Sequence, residues 1–452
     1  MYNLLANGTL GYGVKTIADI KLNWIGELIR ILIEGIGIVG VGIIVFTLIL
    51  KTIVLPLDIY SRIKGKKQAL IMERMRPQME KLQKQYANDK NMYQQKVLEL
   101  QKKSGYSMFG ACLPAIVSLV IFIIVFQAFS TYSQYANLKN YNDMVHVYND
   151  VVQTYVIDED NPSLNQKGFL YEIKLAEGAV DYTVDYSRFA AVYNAEKGTS
   201  LTEEQVFDEL VKEYKAAHTE YDGAFDSSIV NYYAGNQLTD AAVSVRNSMV
   251  SYYLEGPAAH EVKLFYEGKN DKYAKGHNNG FLWVKNLWYP DSTLYKEMPE
   301  FDKFKSTVSR ASIGDDYAES YNKVTAELEV QKGRYNGYFI LIVLSIGFML
   351  LQQWLSMRAN KSVNELSTVD GSGARTNKMM MIIMPIIFGF FSFFYSASFS
   401  IYMITNTCYG LVTMLIINKC VDVWFKKKEE NGELDEILSK KSKKRAKVKK
   451  AK

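Results

Sequence analysis

Residues 42 to 57 read GIIVFTLILKTIVLPL, and Lys51 is the one ionisable side chain among them. An ammonium group in a lipid-compatible run is costly and marks a functional site by default. The chemistry open to it is electrostatic: drawing in anionic groups and holding water where hydrocarbon would exclude it. As a base beside a hydroxyl such as Ser118 it would instead serve nucleophilic catalysis. A third reading has Lys51 near the end of its helix, snorkelling to the headgroups. Other reactive residues are sparse. Cys112, Cys408 and Cys420 all fall in or beside apolar segments, so no disulfide framework is expected. His146, His218, His260 and His277 form neither HExxH nor a Cys/His cluster, so neither a metal nor another cofactor is expected. No Walker loop, GxGxxG ahead of a helix or GxSxG elbow occurs, and the chain does not read as an enzyme.

The elements that would position Lys51 are membrane spans. The 452 residues average a near-neutral hydropathy that mixes nearly charge-free segments with densely charged ones. Five segments have about the 20 residues needed to cross a bilayer. They lie at 35–57, 108–130, 337–357, 379–397 and 399–418, the last two forming a tight hairpin around Ser398. Lys and Arg are retained on the cytoplasmic side. Segment 58–107 carries 12 basic and 5 acidic residues, the tail 419–452 carries 13 and 6, and the link 358–378 carries 4 and 2. Loop 131–336 reverses the balance, with 20 basic and 32 acidic residues. This orients the N-terminal stretch 1–34 and loop 131–336 outside, and 58–107, 358–378 and 419–452 inside. The chain start lacks the pattern of a cleaved signal peptide.

Within 58–107, apolar residues Leu70, Met75, Met79 and Leu82 recur at helical spacing on a basic background. With the turn NDKN at 88–91 and Gly105 as a stop, this predicts a cytoplasmic helical hairpin, kinked at Pro77. The end of the tail, KKSKKRAKVKKAK, reads as a disordered polycation that binds polyanions without sequence specificity. The outer loop is long enough for a small domain. Helices are expected at 138–156 and at 200–217, the latter capped by Ser200 or Thr202. FLWVKNLWYPDS (281–292) and IKLNWIGELIR (20–30) read as interfacial segments.

Taken together, these pieces resemble the YidC/Oxa/Alb membrane protein insertases over about 24–128 and 277–420. FTLILKTIVLPL is similar to the family's first-span signature, with Lys51 where Arg is usual. GACLPAIVSLVIF resembles GGCLPLLLQxPIF, with Ser118 and Val120 replacing Gln and Pro. MLLQQWLS places Gln352 at the family's Gln, and MMMIIMPIIFGFFSF matches the fourth span closely. SASFSIYMITNT resembles PAGLxLYWxxxN, keeping Tyr402 and Asn406 but with Met403 where Trp is common. One departure is the large outer domain between spans two and three, instead of ahead of the core. With no cleaved signal, this resembles a variant from a single-membrane bacterium.

The resemblance implies an all-α polytopic fold. Its expected parts are a five-transmembrane-helix core, a cytoplasmic helical hairpin and an inserted extracytoplasmic domain in a bacterial plasma membrane. It implies a hydrophilic groove, open to cytoplasm and lipid, that moves short polar segments of nascent membrane proteins across without nucleotide hydrolysis. The client's own apolar helix then leaves for lipid, gaining roughly 0.3–0.6 kcal/mol per strongly apolar residue. Lys51 becomes the groove's cation. Ser118, Gln352, Ser396, Tyr402, Thr405 and Asn406 are candidate hydrogen-bonding liners, with interhelical packing at ~0.6 kcal/mol per bond as the alternative for each. Met403 and the fourth-span methionines would form a pliable apolar slide. The implied partners are nascent clients, the Sec translocon, the ribosome through the tail and hairpin, and anionic lipid, but not DNA. A secondary transporter of a small anionic solute would need an internal repeat and paired broken helices, and neither is found. A Ser118–Lys51 protease would need an oxyanion hole that ACLPAIVSL does not offer.

Overall fold

The computed structural model describes residues 13–104, 108–157, 167–174, 180–218, 229–270, 272, 279–359, 379, 383, 386, 387, 389–435, 437 and 438. Side chains are described over the same residues except Lys90, 108–118, Lys174, Val180 and Asp181. The chain is mostly helical and divides into two units. One comprises 21–133, 279–297 and 335–452, and the other comprises 1–20, 134–278 and 298–334.

The first unit opens with helix α1 (Trp24–Ile36), whose Asn23 cap accepts a 2.8 Å bond from the Gly26 amide. Gly37, at φ 76°, ends it in the left-handed conformation that glycine tolerates best. The next helix, α2, therefore begins at Val39, not at the expected residue 35, and runs to Gln85. Gly42 lets the two helices approach: a Cβ there would lie 2.9 Å from the Ile33 Cα.

With 47 residues, α2 is about 70 Å long. It forms the first span and one arm of the hairpin without interruption, passing through both Pro56 and Pro77. Turn residues then lead to α3 (Lys90–Lys103), capped by Asp89; the expected Gly105 stop lies outside the described residues. Helix α4 (Met108–Gln153), helix α11 (Ile340–Ala359) and helix α12 (Ala397–Glu430) complete the long apolar helices. Among the described residues, four helices are long and apolar enough to cross a membrane. The expected span 379–397 lies partly outside the described residues.

The second unit holds two hairpins that an all-helical reading does not include. Strands β1 (Leu170–Lys174) and β2 (Val180–Val184) pair antiparallel, with Leu170 opposite Val184. They precede α5 (Tyr186–Lys197) and α6 (Glu203–Ala217). Thr202, not Ser200, caps α6: its hydroxyl accepts from the Gln205 amide while the Gln205 side chain accepts from the Thr202 amide. A short β3–β4 pair (Tyr233–Ala234, Gln237–Leu238) leads into α7 (Asp240–Tyr266). Arg246 on α7 is fully buried over the Phe207 ring, 4.5 Å from its centroid. It is paired with Glu203 and donates to the Val230 carbonyl and Asn231 Oδ1. Short helices α8 (Phe301–Thr307), α9 (Ala318–Val324) and α10 (Glu329–Gly333) close the unit.

The segment expected to lie flat at an interface is half interior. Leu282 and Lys285 are exposed, but Asn286, Trp288, Tyr289 and Asp291 are buried. The cause is unmet backbone hydrogen bonding at several helix ends. Asp291 Oδ1 accepts the Tyr338 amide at 2.8 Å, and Asp291 Oδ2 accepts the Leu341 amide at 2.6 Å, which caps the start of α11. Leu287 and Tyr289 carbonyls accept the amides of Ser398 and Ala397 at the start of α12, and the Trp288 carbonyl accepts from Ser133 on α4. Phe281 covers α2 at Gly40, where a Cβ would lie 2.2 Å from the ring. Gly40→Val is therefore expected to expel the ring and destabilise the fold by about 1–3 kcal/mol. Thermal unfolding in detergent measures this, and an unchanged midpoint would show that Phe281 is not seated there.

Candidate functional site

Lys51 sits on the protein-facing side of α2. At spacings of three and four residues, Leu55, Asp58, Arg62 and Lys66 follow it along one helix face. Arg62 bonds Asn418 on α12 at 3.0 Å, and Lys66 pairs with Asp422 at 2.6 Å. The opposite face carries Ile53, which is 69% exposed.

Register fixes the depth of Lys51. Arg62 and Asn418 are 356 residues apart, and the same offset relates Lys66 to Asp422. It also relates Phe46 to Tyr402, whose rings both pack on Phe129 of α4, at 5.6 and 5.3 Å. The two helices thus run parallel and in step, with Lys51 level with Thr407 and one residue beyond Asn406. Gln352 on α11 lies about one turn further along, at the level of Val54, because a Cβ on Gly410 would lie 2.6 Å from its Nε2. Asn406 is one turn before Gly410 on the same face of α12. Lys51, Asn406 and Gln352 are each half-buried. Among the described residues, no hydrogen bond or ion pair engages any of the three side chains.

Proline also removes a backbone donor beside Lys51. Pro56 has no amide hydrogen to give to the Thr52 carbonyl, four residues earlier. The Thr52 hydroxyl turns back to the Leu48 carbonyl at 2.8 Å. A free carbonyl at membrane depth is tolerated where it lines a wet cavity or is covered by protein.

Other expected liners are placed differently. Tyr402 and Met403 are buried, at 3% and 5% exposure, and Tyr402 belongs to the aromatic packing with Phe129 and Phe399. The Tyr402 ring thereby joins α12 to α4 through Phe129. Ser396 is buried and its hydroxyl pairs with that of Ser398 at 2.6 Å. Thr405 is half-buried. The Ser118 side chain lies outside the described residues, as does that of Cys112. Reading the sequence alone missed Gly410 and Asp291. Gly410 follows Asn406 by one turn, a spacing that flags a close helix approach. Asp291 carries no such local signal.

The family model described as 60Kd inner membrane protein matches residues 31–175 and 264–426. The chain belongs to this family, that of the YidC/Oxa insertases. The unmatched residues 176–263 all lie in the second unit, so the matched regions contain α2, α11 and most of α12 with Lys51, Gln352 and Asn406. Curated relatives called membrane protein insertase YidC match shorter stretches. That of Fusobacterium nucleatum is 37% identical over 76 residues, covering 17% of this chain and 35% of its own length. That of Clostridium tetani is 36% identical over 80 residues, 18% of this chain and 34% of its own. That of Alkalilimnicola ehrlichii is 30% identical over 119 residues, 26% and 20%. The matches thus span about a third or less of these relatives. No solved structure matches the chain. With four apolar helices of membrane-crossing length, this family member is a multi-pass membrane protein.

Proposed function

We propose that the chain inserts nascent membrane proteins into a bacterial cell membrane, with its N-terminus outside and its C-terminus in the cytoplasm. The observation that carries this reading is the set of half-buried groups at Lys51, Asn406 and Gln352, spread over about one helical turn of depth. A cation, an amide from each of two other positions and the Thr52 carbonyl, which Pro56 denies its usual donor, form a polar lining inside an apolar bundle. Water held there shortens the hydrocarbon path that a polar client segment must cross. Lys51 attracts the client's acidic residues, and no covalent step is needed. The 279–297 segment, tied to four helices of its own unit, closes the end of the bundle opposite the hairpin. The groove then opens to cytoplasm and lipid.

The test is depletion of the chain in cells expressing a small Sec-independent client, followed by protease protection of its tail. Insertion is expected to fail on depletion and to return with the intact gene. Undiminished insertion would refute the reading; solute flux through the reconstituted protein would favour a transporter of small anions.

We assign the hairpin and tail to the ribosome, with the Sec translocon and anionic lipid as further partners of the chain. Removing residues 439–452, which lie outside the described residues, is expected to weaken ribosome co-sedimentation. Raising salt should mimic this loss, because the attraction is screened and counterion-driven. Co-sedimentation that is indifferent to salt would count against the assignment.

A further inference from the structure

Beyond the span, the cytoplasmic half of α2 carries three methionines at helical spacing, Met72, Met75 and Met79, each no more than 3% exposed. They form one wall of an apolar groove whose other side is Ile417, Val421 and Phe425 of α12. Val97 and Leu100 of α3 pack against its rim. What covers it is the chain's own tail. After α12 the chain turns at Gly432, φ 70°, and Leu434 and Leu438 pack into the groove.

The cover is held lightly. Arg74 pairs with Asp435 at 2.6 Å, but the two side chains are 53% and 82% exposed, where an ion pair contributes little. Glu433 pairs with Lys428, and Lys67 donates to the Ile437 carbonyl. Two leucines four residues apart supply the apolar contact of a segment joined through a glycine. Methionine walls suit exchange of one apolar occupant for another, since the unbranched thioether repacks readily.

We propose that this groove is a docking site for the apolar segment of a client, and that residues 433–438 are its resident plug. The proposal rests on the insertase reading. The plug itself states what the groove accepts: GELDEIL sets leucines one turn apart among acidic residues, against a rim that carries Lys67 and Arg74. The occupant is therefore an apolar helix with an acidic flank. A client must displace the tail before it reaches Lys51.

The experiment uses full-length protein in membrane vesicles with a photoreactive residue at Leu100, on the rim. The probe is a ribosome-stalled nascent chain bearing a leucine-rich segment with either an acidic or a basic flank. Two variants, Leu434→Ala/Leu438→Ala and Leu434→Glu/Leu438→Glu, release the plug while keeping the basic tract 439–452. If the plug covers the groove about nine-tenths of the time, release raises crosslinking to the nascent chain about tenfold at sub-saturating levels. The acidic-flanked probe should gain most. Should the glutamate pair unfold the hairpin, as limited proteolysis would reveal, the alanine pair decides. Crosslinking to the nascent chain that is unchanged or lower in a protease-resistant variant overturns the proposal. Client insertion is read in the same vesicles. Normal insertion with Leu100 crosslinked only to the chain's own tail sinks the groove and spares the insertase reading. Crosslinking as expected with no insertion does the reverse.

Discussion

Lys51→Ala is expected to cut insertion of a client with an acidic translocated tail about tenfold, while a client with a neutral tail inserts nearly as before. Lys51 is on the side of α2 that bonds Asn418 and Asp422, level with the half-buried Asn406. An attraction of about 1.4 kcal/mol between the ammonium and a client carboxylate gives that factor, and two charges in a partly hydrated site reach it easily. Lys51→Arg keeps the charge and should keep activity. Lys51→Glu repels the same tail and should cost more than alanine. A lysine that only snorkels would make all three variants alike. Protease protection of two clients differing only in tail charge, tested against all three variants, decides this. Equal insertion throughout would remove Lys51 from the mechanism.

The second large effect is on stability. Asn336→Ala is expected to destabilise the membrane unit by about 3 kcal/mol, since each buried polar group left unpaired costs about 1–3 kcal/mol. The Asn336 Nδ2 donates to the carbonyls of Asn286 and Pro290 at 2.9 and 2.8 Å, and its Oδ1 accepts the Asn286 amide at 2.7 Å. Asn336 is fully buried, so water does not replace these bonds without a rearrangement. Asp291→Asn is the companion test. The substitution turns an amide NH2 toward one of two amide donors that now share a carboxylate, the Tyr338 and Leu341 N–H groups. Denaturant titration in detergent measures both. A loss below about 0.5 kcal/mol in both variants, the range of an ordinary surface change, would mean that the 279–297 segment is not the tie between helix ends described above.

The site's main feature was legible in the sequence because it breaks a strong rule. A lysine in an apolar run is visible without coordinates, and the family resemblance then pointed to Gln352 and Asn406. Which hydroxyls and sulfurs face which neighbour was not legible. Tyr402 and Met403 follow one another on a helix that is apolar almost all round, so periodicity gives no preferred face. The Tyr402 ring packs on Phe129 of another helix and on Phe399 one turn earlier. The 281–292 segment misled for a related reason. Its aromatic content fits a membrane interface, but the polar residues between the rings, Asn286 and Asp291, meet partners about fifty residues away. Sequence spacing does not encode such pairings. The tail was legible only as charge: the two leucines that dock it are too few to make a helical pattern.

The uninterrupted course of α2 has a mechanical consequence. A continuous hydrogen-bonded helix resists bending, so the hairpin arm and the residue at Lys51 behave as two points on one rod. A load applied at the far end would swing the end that carries Lys51, with no slack loop between to absorb it. Compliance is concentrated where proline removes a rung, at Pro56 and Pro77. Pro56 lies barely more than one turn from Lys51, so the softest joint in the rod adjoins the charge. Stiffening it with Pro56→Ala would alter how far that charge travels under load, and would also return an amide donor to the Thr52 carbonyl.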